Sequence, residues 1–449
     1  MSEKPQMDPT KQPAQPFPRL VQAVLDGTAT ATQHVRLADL LREDAHLRAE
    51  YVQQLRLDAL LHFTGGAVAK TTVPASSRAH ENHFSTFRFF AAAAAVLLIG
   101  LSALWWSRRG VEVEVVQTAD FTSHQWRAGT KVRLNHLSLP RGRVEFRLQS
   151  GVWLEVVAPA ELQFVNAMHL RVSLGQVTAD VGDRGKGFVV DTAQTKIVDL
   201  GTKFGVAVPN AGHTDVVVFE GEVEVFDRKA PRASAAPLLT RLFEGEAVRV
   251  NAQRQLSRIM NVTSGPRDAA WSTGGGETGA VITSVHDNLR DPTELYYYRI
   301  LAGGLHEDAP AFVAKRHEWN GLDAAGIPAE LLGADLVQTF PSDRDNTALE
   351  IIVTVARPAV IYVLADSRTE PPAWLVQNFT ATGALIGLEN APMLTSGKPV
   401  GRGPGEGNMA GFAVWKRTLP DGGRVKLGPA GVTTGEIRQW MYGIAAKAL

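Results

Sequence analysis

Apolar residues near the N-terminus recur at the spacing of amphipathic helices. Three groups of them lie within residues 18–63, and each follows a residue suited to start or cap a helix. Their members are Leu20, Val21, Val24 and Leu25, then Leu37, Leu40 and Leu41, then Tyr51, Val52, Leu55 and Ala59. This spacing predicts a compact bundle of about three helices. Residues 1–17 are polar and rich in proline, which predicts a disordered tail.

A single uncharged apolar run covers residues 89–106. As a helix, its 18 residues would span about 27 Å, close to the ~30 Å hydrocarbon core of a bilayer. Two tryptophans end the run and two arginines follow, which is the order expected at a membrane boundary. We therefore expect one transmembrane helix in contact with lipid, after a linker at residues 64–88. A buried core helix and a cleaved signal peptide are the alternatives, and a signal peptide would begin within the first ~30 residues.

The pattern changes to short alternating segments after this run. Residues 110–260 contain many stretches of four to eight residues in which Val and Phe alternate with polar residues, and glycines separate them. A period of two with frequent turns predicts an all-β domain, either a sandwich or a small solenoid. The glycine-rich stretch within residues 261–280 predicts a linker. Further strand candidates within residues 281–449 predict a C-terminal β-sandwich-like domain.

Composition excludes several classes of function. The 449 residues include no cysteine, so disulfides, Cys-ligated zinc, iron–sulfur clusters and thiol nucleophiles are excluded. The formal net charge is zero, which argues against a dominant nucleic-acid surface, and we expect no direct nucleic-acid partner. The similar Lys and Arg content on the two sides of residues 89–106 does not orient the predicted helix.

The candidate chemical groups are few and lack supporting context. Asp343 and Asp345 suit either a calcium ligand pair or an acidic turn. Ser367 and the pair His286 and Asp287 have no motif for nucleophilic catalysis around them. Three tryptophans, whose rings could form a sugar-stacking platform or belong to the core, are Trp319, Trp374 and Trp415. We expect no catalytic site, no metal site and no cofactor, and therefore no enzyme.

Two motifs within the first β region resemble the FecR domain. They are VDLGTKFGV at residues 198–206 and FEGEVEV at residues 219–225, and the resemblance extends over residues 110–260. Gly201 and Gly221 are predicted to occupy tight turns, with Asp199 and Glu220 as turn flanks. The resemblance implies the periplasmic sensor of a transmembrane regulator of extracytoplasmic-function sigma factors. The predicted fold class is therefore a multidomain membrane protein with a small N-terminal helical bundle, one transmembrane helix, an all-β FecR-like domain and a C-terminal β-sandwich-like domain.

This resemblance also implies partners and a location. The N-terminal helices would bind a sigma factor in the cytoplasm, and the β domains would meet an unknown periplasmic protein or glycan signal, with the chain in the inner membrane. Leu41, Val52 and Leu55 are the candidate partner-binding residues, since a bundle of this size buries little surface alone. His34, His46 and His62 lack the thiols of zinc-containing anti-sigma domains. The alternative function is an envelope-anchored glycan-binding or adhesion protein.

Overall fold

The computed structural model describes the β-rich part of the chain and a few N-terminal positions. The described residues are ten single positions between 17 and 51 and the ranges 110–120, 126–228, 237–265, 270–274, 279–291, 293–390, 403–405, 407–431 and 438–449. Contacts divide the chain into two units, Met1–Ala91 and Ala92–Leu449.

The first fourteen strands of the second unit form one sheet. They are β1 (Val111–Ala119), β2 (Lys131–Leu134), β3 (His136–Leu139), β4 (Arg143–Leu148), β5 (Trp153–Asn166), β6 (His169–Asp180), β7 (Val189–Asp191), β8 (Thr195–Asp199), β9 (Lys203–Val208), β10 (Thr214–Glu220), β11 (Glu222–Asp227), β12 (Leu238–Phe243), β13 (Ala247–Val250) and β14 (Leu256–Arg258). The all-β prediction for this region is confirmed.

This sheet divides into two arms at β6. The first residues of β6 pair with β7, which leads to β8, β11 and β12. The second half of β6 pairs with β9, which leads to β10, β13 and β14. Both arms contribute apolar side chains to the same core, for example Val190 and Val225 from one arm and Phe204 and Val218 from the other. The sheet therefore folds around a single core.

Alternation along each strand explains why these segments form a sheet with one buried face. In β4, Val144, Phe146 and Leu148 are buried, and the charged residues between them are more exposed. Successive side chains of a strand point to opposite faces, so this pattern places one face against the core and leaves the other accessible.

The rest of the second unit forms two further sheets. Its strands are β15 (Asn261–Ser264), β16 (Ile282–Asp287), β17 (Tyr298–Leu301), β18 (Ala309–Phe312), β19 (Lys315–Asn320), β20 (Asp335–Gln338), β21 (Ile351–Val355), β22 (Ala359–Asp366), β23 (Thr380–Asn390), β24 (Asn408–Leu419), β25 (Gly423–Leu427) and β26 (Gly443–Ala448), and its helix is α1 (Ala373–Asn378). Nine strands form one sheet, and β16, β21 and β25 form the other. Both sheets contribute to one core, which includes Trp319, Phe412 and Ile351. The prediction of a β-rich C-terminal region is confirmed.

The described N-terminal positions form a small apolar cluster. Val21 and Leu37 are buried, and the half-buried residues packed against them are Phe17, Val24, Leu40, Leu41 and Tyr51. These seven positions are helical, whereas the bounds of the helices lie outside the described residues.

The predicted fold class is wrong as a description of this structure. Strands dominate the described residues, the only bounded α-helix among them is α1, and no bundle of bounded helices is present in that part of the chain. Among the same residues, no helix has the length and apolar character needed to cross a membrane. The prediction relied on local apolar spacing and run length, which set only a minimum condition for a helix. The predicted span at residues 89–106 and the linker at residues 64–88 lie outside the described residues.

Candidate functional site

The motif at residues 198–206 forms a glycine turn between β8 and β9. Gly201 has φ of 105°, a conformation that favours glycine, and its N–H donates to Oδ2 of Asp199 at 2.8 Å. The hydroxyl of Thr202 donates to the carbonyl oxygen of Glu222 at 2.6 Å, which ties the turn to the neighbouring hairpin. Gly221 has φ of 84°, and a Cβ there would lie 3.0 Å from the carbonyl oxygen of Gly201. The predicted glycine turns are confirmed.

Asp199 lies beneath this turn and is fully buried. Burial raises the pKa of its carboxyl, and hydrogen bonds from Thr202 and Gly201 partly oppose that increase. Glu220, by contrast, is exposed at the end of β10. Asp199 therefore supports the turn from inside the domain and is not available as a surface acid.

The motif strands β9 and β10 are covered on both faces. In β10, Val216 and Val218 face the core of the first sheet, whereas Val217 and Phe219 face a second apolar cluster. We call this second group the seam cluster, and its members are Val217, Phe219, Ala247, Ile259, Val262, Trp271 and Tyr297. The chain that follows the first sheet supplies four of its members and covers the outer face of the motif strands.

Trp271 is the largest side chain of the seam cluster and is held at several points. It is 3% exposed, and its Nε1 donates to Oγ1 of Thr178 at 3.0 Å. The side-chain amide of Gln176 donates to its carbonyl oxygen, and its indole meets the ring of Phe219 edge to face at 6.1 Å. Its six-membered ring lies over Gly205 in β9, where an added Cβ would come within 2.5 Å of two ring carbons.

Tyr297, another member of the seam cluster, is held by two hydrogen bonds to the first sheet. Its hydroxyl donates to the carbonyl oxygen of Val218 at 3.1 Å, and its backbone N–H donates to the carbonyl oxygen of Gly245 at 3.0 Å. Its side chain is buried, and burial raises its pKa far above the ordinary value. These contacts attach the C-terminal sheets directly to the motif strand β10.

A charged recess of about 500 Å³ lies next to the seam cluster. Loss of hydration lowers the pKa of Arg299 to about 10, although the carboxylates of Glu220 and Glu244 oppose this change. Burial also lowers the pKa of Lys203 and raises the pKa of Glu244. The guanidinium of Arg299 lies 5.3 Å from the ring centroid of Phe219, so this charge borders the apolar seam.

Of the three candidate partner-binding residues, Leu41 alone is among the described residues. Leu41 is helical and half-buried in the N-terminal cluster. Val52 and Leu55 lie outside the described residues, as do His34, His46 and His62.

The acidic candidates of the C-terminal region are paired with arginines. Arg290 donates from Nη2 to both carboxylate oxygens of Asp343 at 2.8 Å, and Arg438 donates to Asp345 at 2.5 Å. Ser367 donates its hydroxyl to the carbonyl oxygen of Gly411 at 2.7 Å. These groups stabilise loops of the fold through hydrogen bonds and ion pairs.

The three candidate tryptophans do not form a platform. Trp319 is fully buried and packs edge to face on Phe412 at 4.8 Å. Trp374 and Trp415 are half-buried against the same core. Sequence reasoning passed over Trp271 because it falls in the predicted linker.

Comparison with known proteins identifies part of the first sheet. Residues 140–224 match the family described as FecR protein, so this part of the chain is a FecR domain and the resemblance is confirmed. Two solved structures of a proposed anti-sigma factor from Parabacteroides distasonis are similar at 21% and 24% identity, with TM-scores of 0.23 and 0.22. Each similarity covers 27% of this chain, which spans 58% and 57% of those chains.

A β-glucuronidase from glycoside hydrolase family 2 is similar at 11% identity and a TM-score of 0.26, over 76% of this chain and 39% of that enzyme. Nothing about the fold or the function of this chain follows from similarities at these TM-scores. No curated protein matches the chain.

Proposed function

We propose that this protein regulates an extracytoplasmic-function sigma factor and relays a periplasmic signal by protein–protein contact. The observation that supports the proposal is the FecR domain at residues 140–224. Its motif residues serve turns and packing, as expected of a domain that works through contact rather than catalysis. We propose no enzymatic activity.

We further propose that residues 1–86 face the cytoplasm and that the β domains lie in the periplasm, with the protein at the inner membrane. This location rests on the order of segments in FecR-type regulators. Phosphatase and fluorescent-protein fusions placed after residue 80 and after residue 449 test it. A phosphatase signal from the fusion at residue 80 would contradict the proposed orientation.

The proposed sigma-binding surface includes Leu41, with Val52 and Leu55 as further candidates. Leu41 is half-buried in a cluster in which Val21 and Leu37 are the buried described residues. Partly exposed apolar side chains of this N-terminal cluster would gain burial if a partner covered them.

A binding assay tests the proposal. The purified full chain is incubated with each extracytoplasmic-function sigma factor encoded in the same genome, and capture is measured. We expect Leu41→Asp to abolish capture and to leave the helical circular-dichroism signal unchanged. Val21→Asp is the matched control, because a charge at this fully buried position should reduce helical content. If no sigma factor of the genome binds the wild-type chain, the regulator proposal fails.

A further inference from the structure

An aromatic recess of about 530 Å³ lies beside the hairpin of β18 and β19. Rings of Trp440, His317 and Phe340 form part of its wall, and Lys315, Arg344 and Ser342 also line it. This volume falls within the ~300–1,000 Å³ typical of small-molecule sites.

The indole of Trp440 is held in a fixed position. It stacks on the buried ring of Phe312, with centroids 6.2 Å apart and planes 16° from parallel, and it contacts His317 at 5.1 Å. Its backbone N–H donates to Oδ2 of Asp366 at 3.0 Å. Trp440 itself is only half-buried, so part of this supported ring is accessible beside the guanidinium of Arg344, which lies 5.5 Å from the ring centroid. A fixed aromatic face binds a flat ligand face with little loss of conformational freedom.

The charges of the recess that act on His317 are those of two cations, Lys315 and Arg344. Its lining includes Lys315, Arg344 and Arg290 and one carboxylate, that of Glu294. Arg290 pairs with Asp287 and Asp343, and Asp345, which lies 3.7 Å from Arg344, also pairs with Arg438. Burial, followed by the charges of Lys315 and Arg344, lowers the pKa of His317. The recess therefore favours an anion over a neutral ligand.

Two buried polar atoms at this site lack a hydrogen-bond partner among the described residues. They are Nδ1 of His317 and Nε of Arg344, and the latter lies 3.7 Å from a carboxylate oxygen of Asp345. Buried polar atoms are usually satisfied, so a pair of them beside one recess is a feature that a polar ligand would explain.

We propose that this recess binds a sugar that carries a carboxylate. The apolar face of the sugar ring stacks on Trp440, its carboxylate pairs with Lys315 and Arg344, and its hydroxyl groups meet His317 and Ser342. Aromatic faces suit sugar rings, and guanidinium groups suit carboxylates.

The recess also touches the first sheet through the tip of the same hairpin. Val313 lines the recess, and a Cβ added to Gly245, in the first sheet just beyond the residues that match FecR, would come within 2.5 Å of its Cγ1. Bound sugar would therefore act next to the turn that joins β12 to β13. The idea that the bound sugar is the sensed signal rests on the proposed function, whereas the binding of the sugar to the recess does not.

Calorimetric titration of the full chain with trigalacturonate tests the proposal, with maltotriose as a neutral probe and 4-hydroxybenzoate as an aromatic anion. We expect trigalacturonate to bind at least about tenfold more tightly than either of the others. Trp440→Ala and Lys315→Gln should each weaken binding about tenfold. The matched control is Trp153→Ala, because Trp153 is 42% exposed and lies 5.4 Å from the guanidinium of Arg147 on the FecR domain.

Nuclear magnetic resonance of His317 gives a second measurement that is independent of Trp440. A bound carboxylate should raise the pKa of this imidazole, since it offsets the neighbouring cations. Equal binding of maltotriose or of 4-hydroxybenzoate overturns the assignment to an acidic sugar, and so does an absence of trigalacturonate binding. Sigma-factor capture is measured without any sugar, so a failure of the recess and a failure of the regulator proposal are distinguishable.

Discussion

Gly205 allows Trp271 to cover the FecR motif strands, and Gly205→Ala tests this arrangement. The added Cβ would lie 2.5 Å from Cε2 and Cζ2 and 2.7 Å from Nε1 of the indole. Carbon atoms pack at about 3.5–4.0 Å, so the ring would have to move by about 1 Å. Its bond to Thr178 and its contact with Phe219 oppose that movement.

The expected cost follows from two opposing effects. Overpacking of a well-packed core costs about 1–3 kcal/mol. Replacement of glycine by alanine in a strand is otherwise favourable by roughly 0.5–1 kcal/mol. Because Trp271→Ala removes the obstructing ring, Gly205→Ala should be neutral or slightly stabilising in that background. The gain from alanine cancels between the two backgrounds, so the coupling energy between the two positions should equal the overpacking cost of about 1–3 kcal/mol.

Urea unfolding of the full chain, followed by hydrogen exchange of peptides from β9 and β10, measures this coupling. Gly411→Ala in β24 is the matched control, because a Cβ there would meet its nearest atom at an ordinary 3.4 Å. If Gly205→Ala costs the same with and without Trp271, the indole does not cover Gly205 and the seam is assigned incorrectly.

Three further substitutions test the FecR domain. Gly201→Val should cost more than about 1 kcal/mol, since a β-branched residue is strained at φ of 105°, and an unchanged melting temperature would contradict the turn. Asp199→Asn should stabilise the protein at pH 7 and lose this advantage toward pH 4. Because the pKa of Asp199 is raised in the native state, that state binds more protons than the unfolded state. Wild-type stability therefore falls as pH rises from the unfolded-state pKa to the folded-state pKa. The same change in unfolding free energy at pH 4 and at pH 7 would contradict the burial argument. Asp215→Asn should cost about 1–3 kcal/mol, because Asp215 is 2% exposed and accepts two bonds from Arg249 at 2.7 Å, and unchanged urea unfolding would contradict a structural role for this pair.

Local patterns predicted the FecR domain well because its strands alternate. The burial of Val144 and Phe146 follows directly from the alternation in β4. The glycine turn at Gly201 was also predictable, since only glycine tolerates positive φ at low cost. One signal of the seam was present as well: the run VVVF in β10 does not alternate, as expected for a strand with both faces buried.

The seam itself depends on contacts between distant parts of the chain. Residues 261–264 fall in the predicted linker, yet they form β15 and pair in parallel with β17. Trp271 follows in the same stretch and reaches Thr178 of β6. Glycine content alone predicts a flexible connection and contains no information about such a distant partner.

The packing of the seam cluster limits how far the two β regions can separate, and so limits the signal relay that we propose. Separation of the C-terminal sheets would expose Trp271, Tyr297 and Phe219, and each aromatic side chain buries ~150–250 Å². At about 25 cal/mol per Å², each exposure costs roughly 4–6 kcal/mol as an upper estimate. Separation is therefore rare, and the two β regions move together. A ligand in the aromatic recess would act on the first sheet through the contact between Val313 and Gly245, without separating the two β regions.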